Sequence, residues 1–280
     1  MAAQSTGDND HILVDKKDGV LTITFNRAAQ GNAIRLEMYG KIASALTSAA
    51  TDDDVEVVII TGKGKFFSTG ADVSEAAERV MKGEGLDELE PSFRKYPVAL
   101  TTAMIEFPKV LVAAVNGPVI GYPAAQLGLY DLVFVSDTAT YQIPLLHLGL
   151  APEGCASFTL QRTVGRALAN DLLITGRTLS ASEMVASGIT SRIFPQATFH
   201  QDVLAVVSAG CSASAPSSLL ASKRLIQGSY RDRIIDQNEK ETLQLIKQFA
   251  SGEPMDRFAK KFMEIRKAAK KDGSKPASKL

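Results

Sequence analysis

Residues from which several kinds of site are built are scarce in this sequence. Its 280 residues include only two cysteines, Cys155 and Cys211, and three histidines. Two cysteines cannot make a disulfide framework, so nothing points to secretion. With the histidines scattered as well, no metal site is expected. Charge of one sign is also lacking, because 31 Lys and Arg balance 31 Asp and Glu. A dedicated nucleic-acid binder carries a marked basic excess, so no nucleic-acid partner is expected. The first ten residues, MAAQSTGDND, have no basic flank and no apolar run, unlike a signal peptide or an Arg-rich mitochondrial leader. The 21 uncharged residues from Val110 to Tyr130 are long enough to span a bilayer. Asn116-Gly117-Pro118, Gly121 and Pro123 interrupt them, so they read as a buried strand, a tight turn and a buried helix, with no membrane span.

What is present is an ordinary globular composition, 45 % apolar and 22 % charged. The first half alternates strands and helices. Residues 12–16 and 19–26 predict a hairpin turning at Asp18-Gly19. A helix is expected over 35–50 from the spacing of Leu36, Tyr39, Ile42, Ala43 and Leu46. VEVVIITG (55–62) is a continuous apolar strand of the kind buried on both faces. The acidic stretch 74–90 predicts a loosened, mobile helical loop, and a helix follows over 91–106. Strands are expected at 110–115, 131–136 and 140–142, with a helix over 121–129. From Glu153 the pattern turns helical, with segments at 154–164, 166–174, 180–187, 199–213, 216–228, 231–250 and 254–269. Ser180 and Glu183 make a capping box. The fold class is α/β with a helical C-terminal part.

Two segments can carry chemistry. KFFSTGADVSE (65–75) follows an apolar strand, with small residues Ser68, Thr69 and Gly70 to admit a ligand and Asp72 to cap the next helix. NGPVIGYPAA (116–125) is again strand, turn, helix. Two such turns can aim two backbone N–H groups at one carbonyl oxygen, which is an oxyanion hole built from main chain. Other signatures fail. No dinucleotide glycine pattern, P-loop or nucleophile elbow is complete, and His147 reads as a packed residue.

FFSTGAD and NGPVIGYPAA, about fifty residues apart, resemble the F-x-x-G-A-D and N-G-x-x-x-G motifs of the crotonase (enoyl-CoA hydratase/isomerase) superfamily. The resemblance covers roughly residues 11–269. It implies a crotonase-like spiral of ββα turns over 11–198, between a flexible N-terminus (1–10) and a C-terminal helical trimerisation region (199–269). It implies a homo-oligomer, either a trimer or a dimer of trimers. It also implies an acyl-CoA thioester substrate whose oxygen is held by the N–H groups of Ala71 and Tyr122, beside Ser68, Thr69, Gly70, Asp72 and Gly121. No cofactor is expected, because coenzyme A is part of the substrate.

Hydratases of this superfamily carry two glutamates, and the corresponding places here are Ala125 and Leu145, which move no proton. The acid that is present is Glu153, in HLGLAPEGCAS (147–157), where Pro152 is expected to open a helix with Glu153 in its first turn. The helix N-terminus and burial would pull its pKa in opposite directions. This segment is similar to the peroxisomal Δ3,Δ2-enoyl-CoA isomerases, in which one glutamate is the base. The acyl tail is expected to run past Ile120, Leu145 and Leu148, with the loop 74–96 forming part of the pocket wall. Tyr122→Phe is expected to be mild. Dienoyl-CoA isomerisation, hydratase-like chemistry and a non-catalytic CoA-binding role are the alternatives.

The neutral total hides an uneven distribution. From Asp256 to Leu280 nine basic residues face three acidic ones, leaving the rest of the chain net acidic. Lys260 and Lys261 are therefore candidates for the CoA phosphates. The tail 270–280 is expected to be flexible and ends in Ser278, Lys279 and Leu280, the tripeptide read by the peroxisomal import receptor, so the expected location is the peroxisome matrix.

Overall fold

The computed structural model describes residues 10–72, 74–75, 78–79, 82 and 86–272. Strands β1 (Ile12–Lys17) and β2 (Val20–Phe25) form the hairpin, turning through Asp18 and Gly19, both with positive φ. Helix α1 (Leu36–Thr51) and strand β3 (Val57–Gly62) follow. Helices α2 (Leu86–Phe93) and α3 (Ala99–Glu106) are joined by a wide turn over Arg94–Val98. Pro91 lies inside α2, although the sequence suggested a helix start there. The next elements are β4 (Val110–Val115), the two-residue β5 (Val119–Ile120) and a single helical turn α4 (Tyr122–Ala125), then β6 (Leu132–Ser136) and β7 (Thr140–Gln142).

The C-terminal half is mostly helical, as the sequence suggests. It comprises α5 (Ala156–Asn170, broken at Gly165), β8 (Leu179–Ser180), α6 (Ala181–Ala186), β9 (Arg192–Phe194), α7 (Phe199–Val207), α8 (Pro216–Gly228), α9 (Arg231–Ser251) and α10 (Glu253–Asp272). Ser180 caps α6 with Glu183 as expected. The short strands β5, β8 and β9 were not expected from the sequence, although the equally short β7 was.

The main sheet has the order β1-β2-β3-β4-β6-β9, parallel except for the first pair, and a small sheet has the order β5-β7-β8. Strands β3 and β4 are buried along their whole length. Their alternating residues feed two cores. Val58 and Ile60 join Met38, Ile42 and Leu46 of α1 on one face, while Val57 and Ile59 join Phe199, Val203 and Val207 of α7 on the other. That double coverage accounts for the unbroken apolar runs. Among the described residues no single helix is long and apolar enough to cross a membrane. The uncharged 110–130 run is strand, turn and short helix, as its breakers indicate.

Candidate active site

Two loops leave the C-terminal ends of the neighbouring strands β3 and β4, and the chain ties them together. Ser68 pairs with Val119 through Ile120 N–H to Ser68 O at 3.0 Å, and Phe67 N–H donates to Pro118 O at 3.1 Å. Asn116 accepts Gly62 N–H at 3.0 Å and donates to Gly64 O at 2.9 Å. Asn32 donates to Lys63 O and Phe66 O. Gly117 lets the loops touch, because a Cβ there would lie 2.0 Å from Lys65 O.

Within this frame Ile34 bridges to Ala71 by donating to Gly70 O at 2.8 Å and accepting Asp72 N–H at 2.9 Å. Both bonds use Ala71's neighbours, so the Ala71 N–H points the other way and has no acceptor among the described residues. Tyr122 opens α4, whose N-cap Gly121 donates its own N–H to Gln142 O. The Tyr122 N–H also has no acceptor among the described residues. Since α4 is one turn long, the donor is a single amide rather than the pole of a long helix.

Both residues line one cavity of about 110 Å3 together with Glu153. Tyr39, Phe93, Leu150, Phe249, Met255 and Phe258 supply most of the apolar wall. Glu153 is 8 % exposed, and its carboxyl makes no hydrogen bond or ion pair among the described residues. Burial, with a smaller contribution from the nearby Glu241 carboxylate, pushes its pKa from 4.5 up to about 8. The expected helix position of Glu153 is corrected here. Helix α5 starts at Ala156, behind a turn in which Gly154 (φ 64°) and Cys155 (φ 65°) are both left-handed. The helix N-terminus is occupied by Glu241, which accepts Cys155 N–H at 2.7 Å and Ser157 N–H at 3.0 Å. The N-terminus of α5 is therefore engaged by Glu241 and not by Glu153, and burial raises the Glu153 pKa.

The remaining candidates fall in three places. Asp72 lines the cavity, but its carboxylate pairs with Arg27 at 2.8 Å and accepts Ser74 N–H, the expected capping role. Ser68, Thr69, Gly70 and Gly121 adjoin Ala71 or Tyr122 in the two loops but do not themselves line the cavity. The Ser68 hydroxyl is spent on Asn32 O, and Gly70 N–H on Ser68 Oγ. Ile120 and Leu145 do not line the cavity: Ile120 sits in β5 and Leu145 is buried in a tight turn. Leu148, Lys260 and Lys261 line a separate cavity of about 350 Å3 with His147 and Arg257. Ser278, Lys279 and Leu280 lie outside the described residues, as does part of the 74–90 loop.

Sequence reasoning missed Tyr39 as a wall residue and the whole contribution of α9 and α10. Tyr39 packs edge-on against Tyr122 with centroids 5.2 Å apart. In α9 the signal was present, since Glu241 interrupts a buried stripe of Ile234 and Leu245. The Tyr122 hydroxyl is engaged within the protein, donating to Pro97 O at 2.6 Å and accepting from Gln126 at 2.9 Å.

The family model for enoyl-CoA hydratase/isomerase matches residues 15–273. Enoyl-CoA delta isomerase 2 of Rattus norvegicus is 36 % identical over 242 residues, 86 % of this chain and 61 % of that protein. The chain thus spans about three-fifths of that relative's length. Enoyl-CoA delta isomerase 3, peroxisomal, of Mus musculus is 33 % identical over 92 % of this chain and 79 % of its own length. The crystal structure of an enoyl-CoA hydratase/isomerase from Pseudoalteromonas atlantica superposes with a TM-score of 0.78 at 30 % identity, covering 95 % of this chain and 99 % of that one. A match over nearly all of the described residues, on a crotonase fold with both loop motifs in place, means that this chain belongs to the enoyl-CoA hydratase/isomerase family.

Proposed function

We propose that this protein is a Δ3,Δ2-enoyl-CoA isomerase in which Glu153 is the only proton carrier. The observation that carries the reading is a buried carboxyl with no partner among the described residues, on a residue that lines the same cavity as Ala71 and Tyr122, whose backbone N–H groups have no acceptor among those residues. Glu153 removes a proton from C2 of a 3-enoyl-CoA. The negative charge that develops on the thioester oxygen is met by the Ala71 and Tyr122 N–H groups. The protonated Glu153 then returns the proton at C4, leaving the double bond at C2. A carboxyl with a pKa of about 8 accepts a carbon-bound proton better than an ordinary one, and it favours the neutral acid that must be formed midway. Hydration needs a second proton-handling group, and the places that the family resemblance assigns to it hold the buried apolar residues Ala125 and Leu145.

Coenzyme A arrives as part of the substrate, so the reaction calls for no separate cofactor. The apolar wall of Phe93, Phe249 and Phe258 suits the acyl chain, and the Arg257, Lys260 and Lys261 cluster suits the CoA phosphates. The C-terminal Ser-Lys-Leu and the peroxisomal mouse relative support import into peroxisomes by the receptor for that tripeptide. Assembly as a trimer or dimer of trimers belongs to the same reading. The test is conversion of 3-hexenoyl-CoA to the trans-2 product by the purified protein. The reading expects turnover by the wild type and a loss of about 10²–10⁴-fold in Glu153→Gln. An inactive wild type that still binds acyl-CoA would instead favour a non-catalytic role.

A further inference from the structure

The turn that presents Glu153 has little local support. Cys155 holds a positive φ without being glycine, and its thiol caps nothing in α5. Support comes from one side of α9, about eighty residues further along the chain. Glu241 Oε2 accepts Cys155 N–H at 2.7 Å, and its Oε1 accepts Ser157 N–H at 3.0 Å and the Ser157 hydroxyl. Gln237 donates to Ser157 Oγ at 2.9 Å. On the other side of Glu153, Gln248 accepts Ala151 N–H at 2.8 Å. Residues 237, 241 and 248 are spaced by four and seven, which places them on one helix face. That face grips the chain on both sides of Glu153.

Glu241 is itself unusual. It is 6 % exposed, and no Lys or Arg pairs with it among the described residues. Only neutral donors and the N-terminal end of α5 offset its charge. We propose that Glu241 is a positioning residue for the reaction: it clamps the 151–157 turn so that the Glu153 carboxyl faces the oxyanion N–H groups, and its buried charge acts on Glu153. This rests on the reading of Glu153 as the base.

The other charged or titratable groups that face the cavity beside Glu153 are accounted for. Asp72 pairs with Arg27 and Glu75 with Arg35, Arg79 donates to Ser92, and Tyr39 and Tyr122 are held neutral by burial. Glu241, with its own pKa raised by burial to about 7, is the like charge that opposes ionisation of Glu153. Removing it should therefore make Glu153 ionise at lower pH, and the two carboxyls titrate as a pair.

The experiment follows the Glu153 carboxyl by carbon-13 NMR across pH, alongside the pH dependence of kcat with 3-hexenoyl-CoA. Glu241→Gln is expected to lower the Glu153 midpoint by about one pH unit, to move the rising limb of kcat with it, and to lower the plateau about tenfold or more through misplacement. Glu241→Asp keeps the charge on a shorter arm, so the midpoint should stay while kcat falls at nearly unchanged KM. Ser157→Ala should give a smaller kcat loss without a midpoint change. A Glu241→Gln protein with an unmoved midpoint overturns the proposal, even if it is less stable or less active, because a merely structural role predicts that result. If Glu241→Gln does not fold, wild-type kcat in Glu241→Asp overturns it instead. The NMR midpoint needs no turnover, so an error about the reaction appears separately, as near-wild-type activity in Glu153→Gln.

Discussion

Glu153 and Lys223 are buried to nearly the same depth, 8 % and 6 % exposed, yet their surroundings are opposite. Lys223, on α8, donates to Asp131 Oδ2 at 2.8 Å and to Lys109 O at 2.6 Å, and its ammonium lies 5.4 Å from the centre of the Phe107 ring. Asp131 is saturated in turn, accepting Leu111 N–H and the Gln227 amide, each at 2.8 Å. That cluster joins β4, the start of β6 and α8 into one brace. Glu153 has no such company. A buried charge whose hydrogen-bonding capacity is filled holds elements together, whereas a buried carboxyl left unfilled beside two unfilled amides is arranged for a visitor. Burial alone separates neither case, and the partners decide.

The contrast can be broken most directly at Glu153. Glu153→Gln is expected to lower kcat for 3-enoyl-CoA isomerisation by about 10²–10⁴-fold while acyl-CoA binding by calorimetry persists. A loss below tenfold would remove the distinction between the two sites. Next in size is Asp131→Ala, which strands the Lys223 ammonium. It should cost about 3–5 kcal/mol in denaturant unfolding and leave kcat of the folded protein unchanged.

A third effect concerns pH. The folded pKa of Glu153, about 8, lies above its ordinary 4.5, so between these values the native state binds more protons than the unfolded chain. Its contribution to stability is complete below about pH 4.5 and is lost as pH rises towards 8. Melting scans should therefore show Glu153→Gln to be more stable than the wild type at pH 8 and no more stable at pH 4. The last and smallest effect is expected from Tyr122→Phe. It removes the hydroxyl shared by Pro97 O, Thr101 and Gln126, at a cost of about 1–3 kcal/mol in stability. Its kcat should stay near that of the wild type, because the proposed donor is the backbone N–H.

Much of the fold was legible because its signals are local. Val57–Gly62 and Val110–Val115 are unbroken apolar runs, and the sheet buries both on two faces. Ser180 with Glu183 marks a helix start that depends on four consecutive residues. The two glycine-containing loops were legible as well, together with Ala71, Tyr122 and Glu153, which share the cavity. The apolar cavity wall was legible only in part: the segment 74–96 was expected to contribute and holds Phe93, whereas α9 and α10 were not expected there. Ile120, Leu145 and Leu148 are apolar and near Glu153 or the loops in sequence, yet the wall is made by Phe93, Phe249 and Phe258, which meet at 4.9 and 6.4 Å between successive rings. Proximity along the chain stood in for proximity in space, and α9 and α10 fold back from far downstream.

By itself the sequence determined most of the order of strands and helices, the two buried central strands, and two turns capable of presenting backbone amides, with one candidate acid further along the chain. Each of these follows from side-chain period, β-branching and glycine within a few residues. Only the tertiary structure decided the chemical state of that acid. Whether Glu153 sits in a helix turn or before it, whether a helix pole or a second carboxylate stands behind it, and whether any cation reaches it are questions about residues some eighty to a hundred positions away. Electrostatic energies depend on distance and dielectric rather than on neighbours in the chain. The raised pKa of Glu153 therefore comes first from burial by a cavity wall assembled from distant elements, and second from Glu241 of α9.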